Sequence, residues 1–102
     1  MKTDIKTIAR SPEAFYGKEV VLEGYAWGWM AQNLPDTIQK LKKLPMAKGS
    51  WGGKNYGTFS DGTMNILFPI APGEYGHFRV RAVVKHNEFG WYLEPIEITP
   101  LD

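Results

Sequence analysis

The chain has no cysteine among its 102 residues. Disulfide staples, zinc ribbons and thiol chemistry are therefore excluded. It has no apolar run approaching the ~18 residues of a membrane-spanning helix, so no membrane partner is expected. The opening Met1-Lys2-Thr3-Asp4-Ile5-Lys6 lacks the apolar stretch of a secretory signal, which makes the cytoplasm the expected location. Charge of one sign is also missing: 12 Lys+Arg against 11 Asp+Glu leave a net charge of +1. Global electrostatics thus argue neither for nor against a polyanionic partner. There is no internal repeat and no low-complexity segment. What is plentiful is aromatic residues, 14% of the chain, and glycine, with 11. The length suits a single domain over residues 1–102 with one real core.

Ser11-Pro12-Glu13-Ala14 reads as a helix start, with a capping serine, proline at the first helical position and glutamate at the positive end of the dipole. Gly17 keeps that helix short. Residues 1–17 form a leading strap whose Ile5, Ile8 and Phe15 lie on a core. From Lys18 the period becomes two. Val20, Leu22, Gly24, Ala26 and Gly28 share one face of a long strand, and Val21, Glu23, Tyr25, Trp27 and Trp29 the other. Glycines on the inner face let a strand coil tightly, as a small barrel requires. Residues 31–55 break the alternation. Leu34, Ile38, Leu41 and Leu44 have helical spacing, Asn33 is the expected cap, Pro35 lies near the first turn and Pro45 ends the segment. The glycine-rich 49–55 that follows reads as a loop. Tyr56-Gly57-Thr58-Phe59-Ser60, the turn Asp61-Gly62 and residues 63–70 predict a hairpin. Gly57, Phe59, Met64, Ile66 and Phe68 are expected inward; Tyr56, Thr58, Asn65 and Leu67 are expected outward. The link over 71–77 is too short for a helix. Phe78, Val80, Ala82 and Val84 face inward from a fourth strand over 78–85. A turn at 87–90 leads to a fifth over 91–98, where Pro95 calls for an edge or a bulge.

Gly17-Lys18-Glu19-Val20-Val21-Leu22-Glu23-Gly24-Tyr25-Ala26 resembles the opening strand of OB-fold nucleic-acid-binding domains, of the single-stranded or tRNA-anticodon-binding type. Tyr56-Gly57-Thr58-Phe59-Ser60-Asp61-Gly62-Thr63 resembles that family's hairpin. Phe78-Arg79-Val80-Arg81-Ala82-Val83-Val84 resembles its fourth strand and Trp91-Tyr92-Leu93-Glu94 its fifth. The resemblance covers about residues 5–98 and implies an all-β, five-stranded barrel. To this are added a short N-terminal helix and a helix-containing insertion between strands one and two. Two features depart from the pattern. The insertion is longer than the usual loop, and the link between strands three and four has no room for the helix that often plugs the barrel. The strap with Phe15 and Tyr16 is expected to cover that end instead.

In the resemblance, single-stranded nucleic acid lies on the face of the first three strands beside the first loop. Trp27, Trp29, Tyr56 and Trp51 are the candidate stacking rings. Lys40, Lys42, Lys43, Lys48 and Lys54 are the candidate phosphate contacts, because residues 31–60 hold these five lysines against Asp36 alone. The alternative for the rings is that the insertion helix folds over Trp27 and Trp29, since an open tryptophan pair is a sizeable apolar patch. The alternative for the lysines is a solvated helix face. Arg79, Arg81 and Lys85 are expected either to pair across strands with Glu94 and Glu97 or to be simply solvated. Phe89, at the tip of the last turn, either contacts a nucleic-acid strand or packs on the barrel rim.

No catalytic residue is assigned. His77 and His86 lack a third ligand, Ser50 has Lys48 two residues before it and makes no nucleophile elbow, and Gly53-Lys54-Asn55 lacks the rest of a phosphate loop. The expectation is a module without enzyme activity, metal or cofactor, whose partner is single-stranded DNA or RNA. The alternative is a protein-interaction module or small subunit, with the insertion helix and tryptophans as its partner surface.

Overall fold

A computed structural model describes residues 1–47 and 56–101. Its elements in chain order are α1 (Ile5–Arg10), α2 (Pro12–Phe15), β1 (Glu19–Trp27), α3 (Asp36–Leu41), β2 (Gly57–Ser60), β3 (Asn65–Phe68), β4 (Tyr75–Asn87) and β5 (Gly90–Pro100). The strands close into a barrel in the order β1-β2-β3-β5-β4. Every neighbouring pair is antiparallel except β3 with β5, which meet in parallel at the single register pair Leu67 and Tyr92. The fold is therefore mostly β, with a closed five-stranded barrel and short helices, one of them near the N-terminus, as the sequence predicts. No helix among the described residues is long and apolar enough to cross a membrane.

The inward set of β1 is as expected: Val20, Leu22, Gly24 and Ala26 are buried, and so is Gly28 just beyond the strand. The glycines are needed because backbone fills the space a side chain would take. A Cβ on Gly24 would lie 2.0 Å from the Ser60 carbonyl oxygen, and one on Gly28 would lie 2.2 Å from that of Ala71. Phe59, Ile66, Phe68, Val80, Ala82, Val84 and Leu93 complete the core from the other strands. Pro95 sits beside a bulge. Arg81 faces Glu97 while Ala82 faces Pro95, which leaves Ile96 as the extra residue.

The leading strap contains a helix that its short apolar pattern does not announce. Asp4 caps α1 by accepting from the Thr7 amide at 2.7 Å. The Thr7 hydrogen bonds hold the Asp4 carboxyl below its ordinary value. Ile5 and Ile8 are fully buried in the barrel core. Each contributes roughly 2 kcal/mol of burial. Phe15, at the end of α2, packs against the same cluster, so α1 and α2 cover the barrel, while Tyr16 is exposed and lies edge-to-face with Trp91. Ser11 precedes α2 but makes no side-chain cap.

Three further expectations are corrected. Asn33 does not cap α3; it adopts φ 55°, and Pro35 occupies the N-cap position. The hairpin is not closed by a tight two-residue turn, because Ser60 pairs with Asn65 and residues 61–64 form the loop. Gly62 has positive φ there and Asp61 does not. Asp61 instead accepts from the Thr63 amide and hydroxyl through Oδ1 and from the Ile5 amide through Oδ2, joining the turn to α1. Finally, Asn65 and Leu67 point outward but are buried, at 2% and 0% exposure, because the outside of this sheet is covered.

Candidate nucleic-acid interface

Register places the outward residues of the barrel in rows. Tyr75, Trp27, Thr58, Leu67 and Tyr92 stand side by side across β4, β1, β2, β3 and β5. The next row carries His77, Tyr25, Ser60 and Asn65. Trp27 is only 6% exposed. Trp27, Leu67 and Ile38, the buried residue of α3, lie outside the barrel-core cluster and mark a second apolar layer on the outer surface. Among the described residues, Asn65 fastens the insertion there. The Asn65 amide donates to Pro45 O, its carbonyl accepts from the Ala47 amide, and its Nδ2 donates to Leu41 O at 2.9 Å and Leu44 O at 3.3 Å. Asn65 thus joins β3 to the chain following α3, beside the short β3–β5 seam.

Trp27 therefore does not form an open platform with Trp29. Trp29 stays 47% exposed and is flanked by Met30 and Tyr75, also exposed. Backbone bonds from Gly28 to Glu74 O and from Met30 to Pro72 O continue the β1–β4 pairing past the end of β1, which brings these three side chains to one end of the barrel. Tyr56 is half-buried and belongs to a different cluster. Its ring lies 5.8 Å from Tyr92 and 6.1 Å from Phe89, and its hydroxyl accepts from Asn87 Nδ2 at 3.3 Å. Burial pushes its phenol above the ordinary value. Phe89 accordingly packs on the rim. Lys48, Trp51 and Lys54 lie outside the described residues.

The cations of β4 differ from the rest, for Lys2, Lys6, Arg10 and Lys18 near the N-terminus are exposed and form no ion pair among the described residues, like the lysines of the insertion. On β4, Arg79 bridges Glu23 at 2.9 Å, Arg81 lies between Glu19 and Glu97, and Lys85 bridges Glu94. This is the cross-strand pairing the sequence suggests, with Glu19 and Glu23 of β1 as additional partners. Lys40, Lys42 and Lys43 are exposed and form no ion pair among the described residues. Lys42 and Lys43 line a depression of about 550 Å³ with Ala31, Asn33, Leu34 and Gln39. A second groove of about 320 Å³ runs between α3 and the outer surface of β1 and β4, lined by Glu23, Tyr25, Thr37, Leu41, Asp61 and His77 among others. Tyr25 and His77 are stacked, centroids 4.3 Å apart and planes 12° apart.

His77, Met30 and Tyr75 carried no local signal. They join these surfaces only through the antiparallel register of β1 and β4. His86 is separate from His77 and lies edge-on to Trp91 at 4.9 Å. Among the described residues, no group of three or more acidic or histidine side chains is arranged to hold a metal ion.

The closed five-stranded barrel is compatible with an OB-fold. Comparison with protein families, characterised proteins and solved structures finds no match for this chain.

Proposed function

We propose that this chain is a small non-catalytic module that binds single-stranded DNA or RNA along the insertion between β1 and β2. The observation that carries this reading is the contrast between the cations of β4 and the lysines gathered on the insertion. Those of β4 are neutralised by glutamates, whereas Lys40, Lys42 and Lys43 stand exposed together without acidic partners among the described residues. Unpaired lysines on one segment attract a phosphate backbone. Trp29 supplies an open ring nearby in the chain, and one stacked base contributes roughly 1–3 kcal/mol.

Titration of a labelled single-stranded oligonucleotide against the K42E/K43E double variant tests this reading. Two charge reversals should reduce affinity by at least about tenfold at low salt. Reversing Lys85, which is already paired with Glu94, should change it far less. Equal binding by wild type and K42E/K43E would overturn the reading. A protein partner is the second reading, favoured by the exposed Trp29, Met30 and Tyr75. An apolar interface there would tolerate K42E/K43E and lose affinity on Trp29→Ala.

A further inference from the structure

We propose that the groove between α3 and the outer surface of β1 and β4 receives one nucleobase carrying an exocyclic amino group, such as cytosine. This rests on the nucleic-acid reading above and adds a base preference to it. At about 320 Å³ the groove is of small-ligand size. One wall is the Tyr25–His77 pair, whose rings stack on each other and are held together by the β1–β4 register. Facing it from α3 are Thr37 and Leu41, four residues apart and therefore on the same stripe of the helix. A planar ring in the groove would lie between this aromatic pair and the Leu41 side chain.

The polar lining chooses among the bases. Glu23 and Asp61 present carboxylate oxygens to the groove, and an ionised carboxylate only accepts. Arg79 occupies Glu23 Oε2, leaving Oε1 without a hydrogen bond among the described residues. The Ile5 amide takes one position on Asp61 Oδ2, which can accept a second bond. Such a lining favours the N–H donors of an amino group and disfavours the bare carbonyl that uracil carries at the same position. It also repels phosphate, so the backbone stays outside. There Lys40, three residues along α3 from Thr37, is placed to meet it.

The test compares short oligodeoxycytidylate and oligodeoxyuridylate of equal length, binding to the whole chain at one low salt concentration. Cytidylate should bind about fivefold more tightly. Its addition should move the aromatic proton resonances of Tyr25 and His77. Thr37 is exposed, so T37W is expected to fold while filling the groove, and it should erase the difference between the two ligands. Equal wild-type affinities with a steep salt dependence would overturn the groove and leave the lysine reading standing. A cytidylate preference that survives in a folded T37W would also overturn it. Absence of binding by both ligands would overturn both proposals.

Discussion

A methyl group at Gly24 would meet the Ser60 carbonyl oxygen at 2.0 Å and the Asp61 Cα at 2.9 Å. Both are backbone atoms, so relief requires moving the β2–β3 turn away from β1. Gly24→Ala should therefore cost about 3 kcal/mol, the upper range of overpacking, as measured by chemical denaturation. A cost below about 1 kcal/mol would show that the turn yields easily. The alternation of β1 already places Gly24 inward, and the sequence is informative at that level. Asp61 shows where such reading stops. Asp-Gly marks a turn, and a turn is present, but the carboxylate also receives the Ile5 amide at 2.8 Å from a helix near the opposite end of the numbering. Nothing local in residues 61–64 encodes that second partner.

Among the elements, the insertion depends on Asn65. Two main-chain bonds and two from the side-chain amide attach the segment after α3 to β3. Asn65→Ala keeps the former and removes the latter, leaving the Leu41 and Leu44 carbonyls without that donor. Such a loss costs about 1–3 kcal/mol. Because the Asn65 Oδ1 atom is buried without a hydrogen-bond partner among the described residues, part of that cost is returned when it is removed, and a net loss of about 1 kcal/mol is expected. Hydrogen exchange should accelerate in α3 and leave the β4–β5 amides protected. Uniform acceleration would mean that the insertion is inseparable from the barrel. The helical spacing of Leu34, Ile38 and Leu41 correctly announces α3. That Ile38 is buried, and that the outward Trp27 and Leu67 are buried as well, is a tertiary matter.

On the scale of the whole molecule, a net charge of +1 conceals a strong separation. Glutamates of β1 and β5 flank the cations of β4, while the stretch from Gly24 to Ser60 contains Asp36 as its single acidic residue. Exposed pairs such as these contribute little stability, but they remove β4 from the positive surface. Phosphate contacts by Lys40, Lys42 and Lys43 alone should give single-strand binding a log-log salt slope of about −2. A slope near zero in a titration from low to moderate salt would overturn the phosphate contacts.

Local sequence was enough for the strands, their inward faces and the positive character of the insertion, while Pro95 left an edge or a bulge open. These follow from alternation, proline chemistry and local charge, all properties of neighbouring residues. Tertiary structure decided that Trp27 is covered while Trp29 is open, that Tyr56 joins Phe89 and Tyr92, and that Tyr25 stacks on His77. Barrel closure joins residues distant in the chain, and its register decides which outward side chains share a surface. A two-residue period separates inside from outside on one strand, but it holds no information about what another part of the chain will lay over that outside.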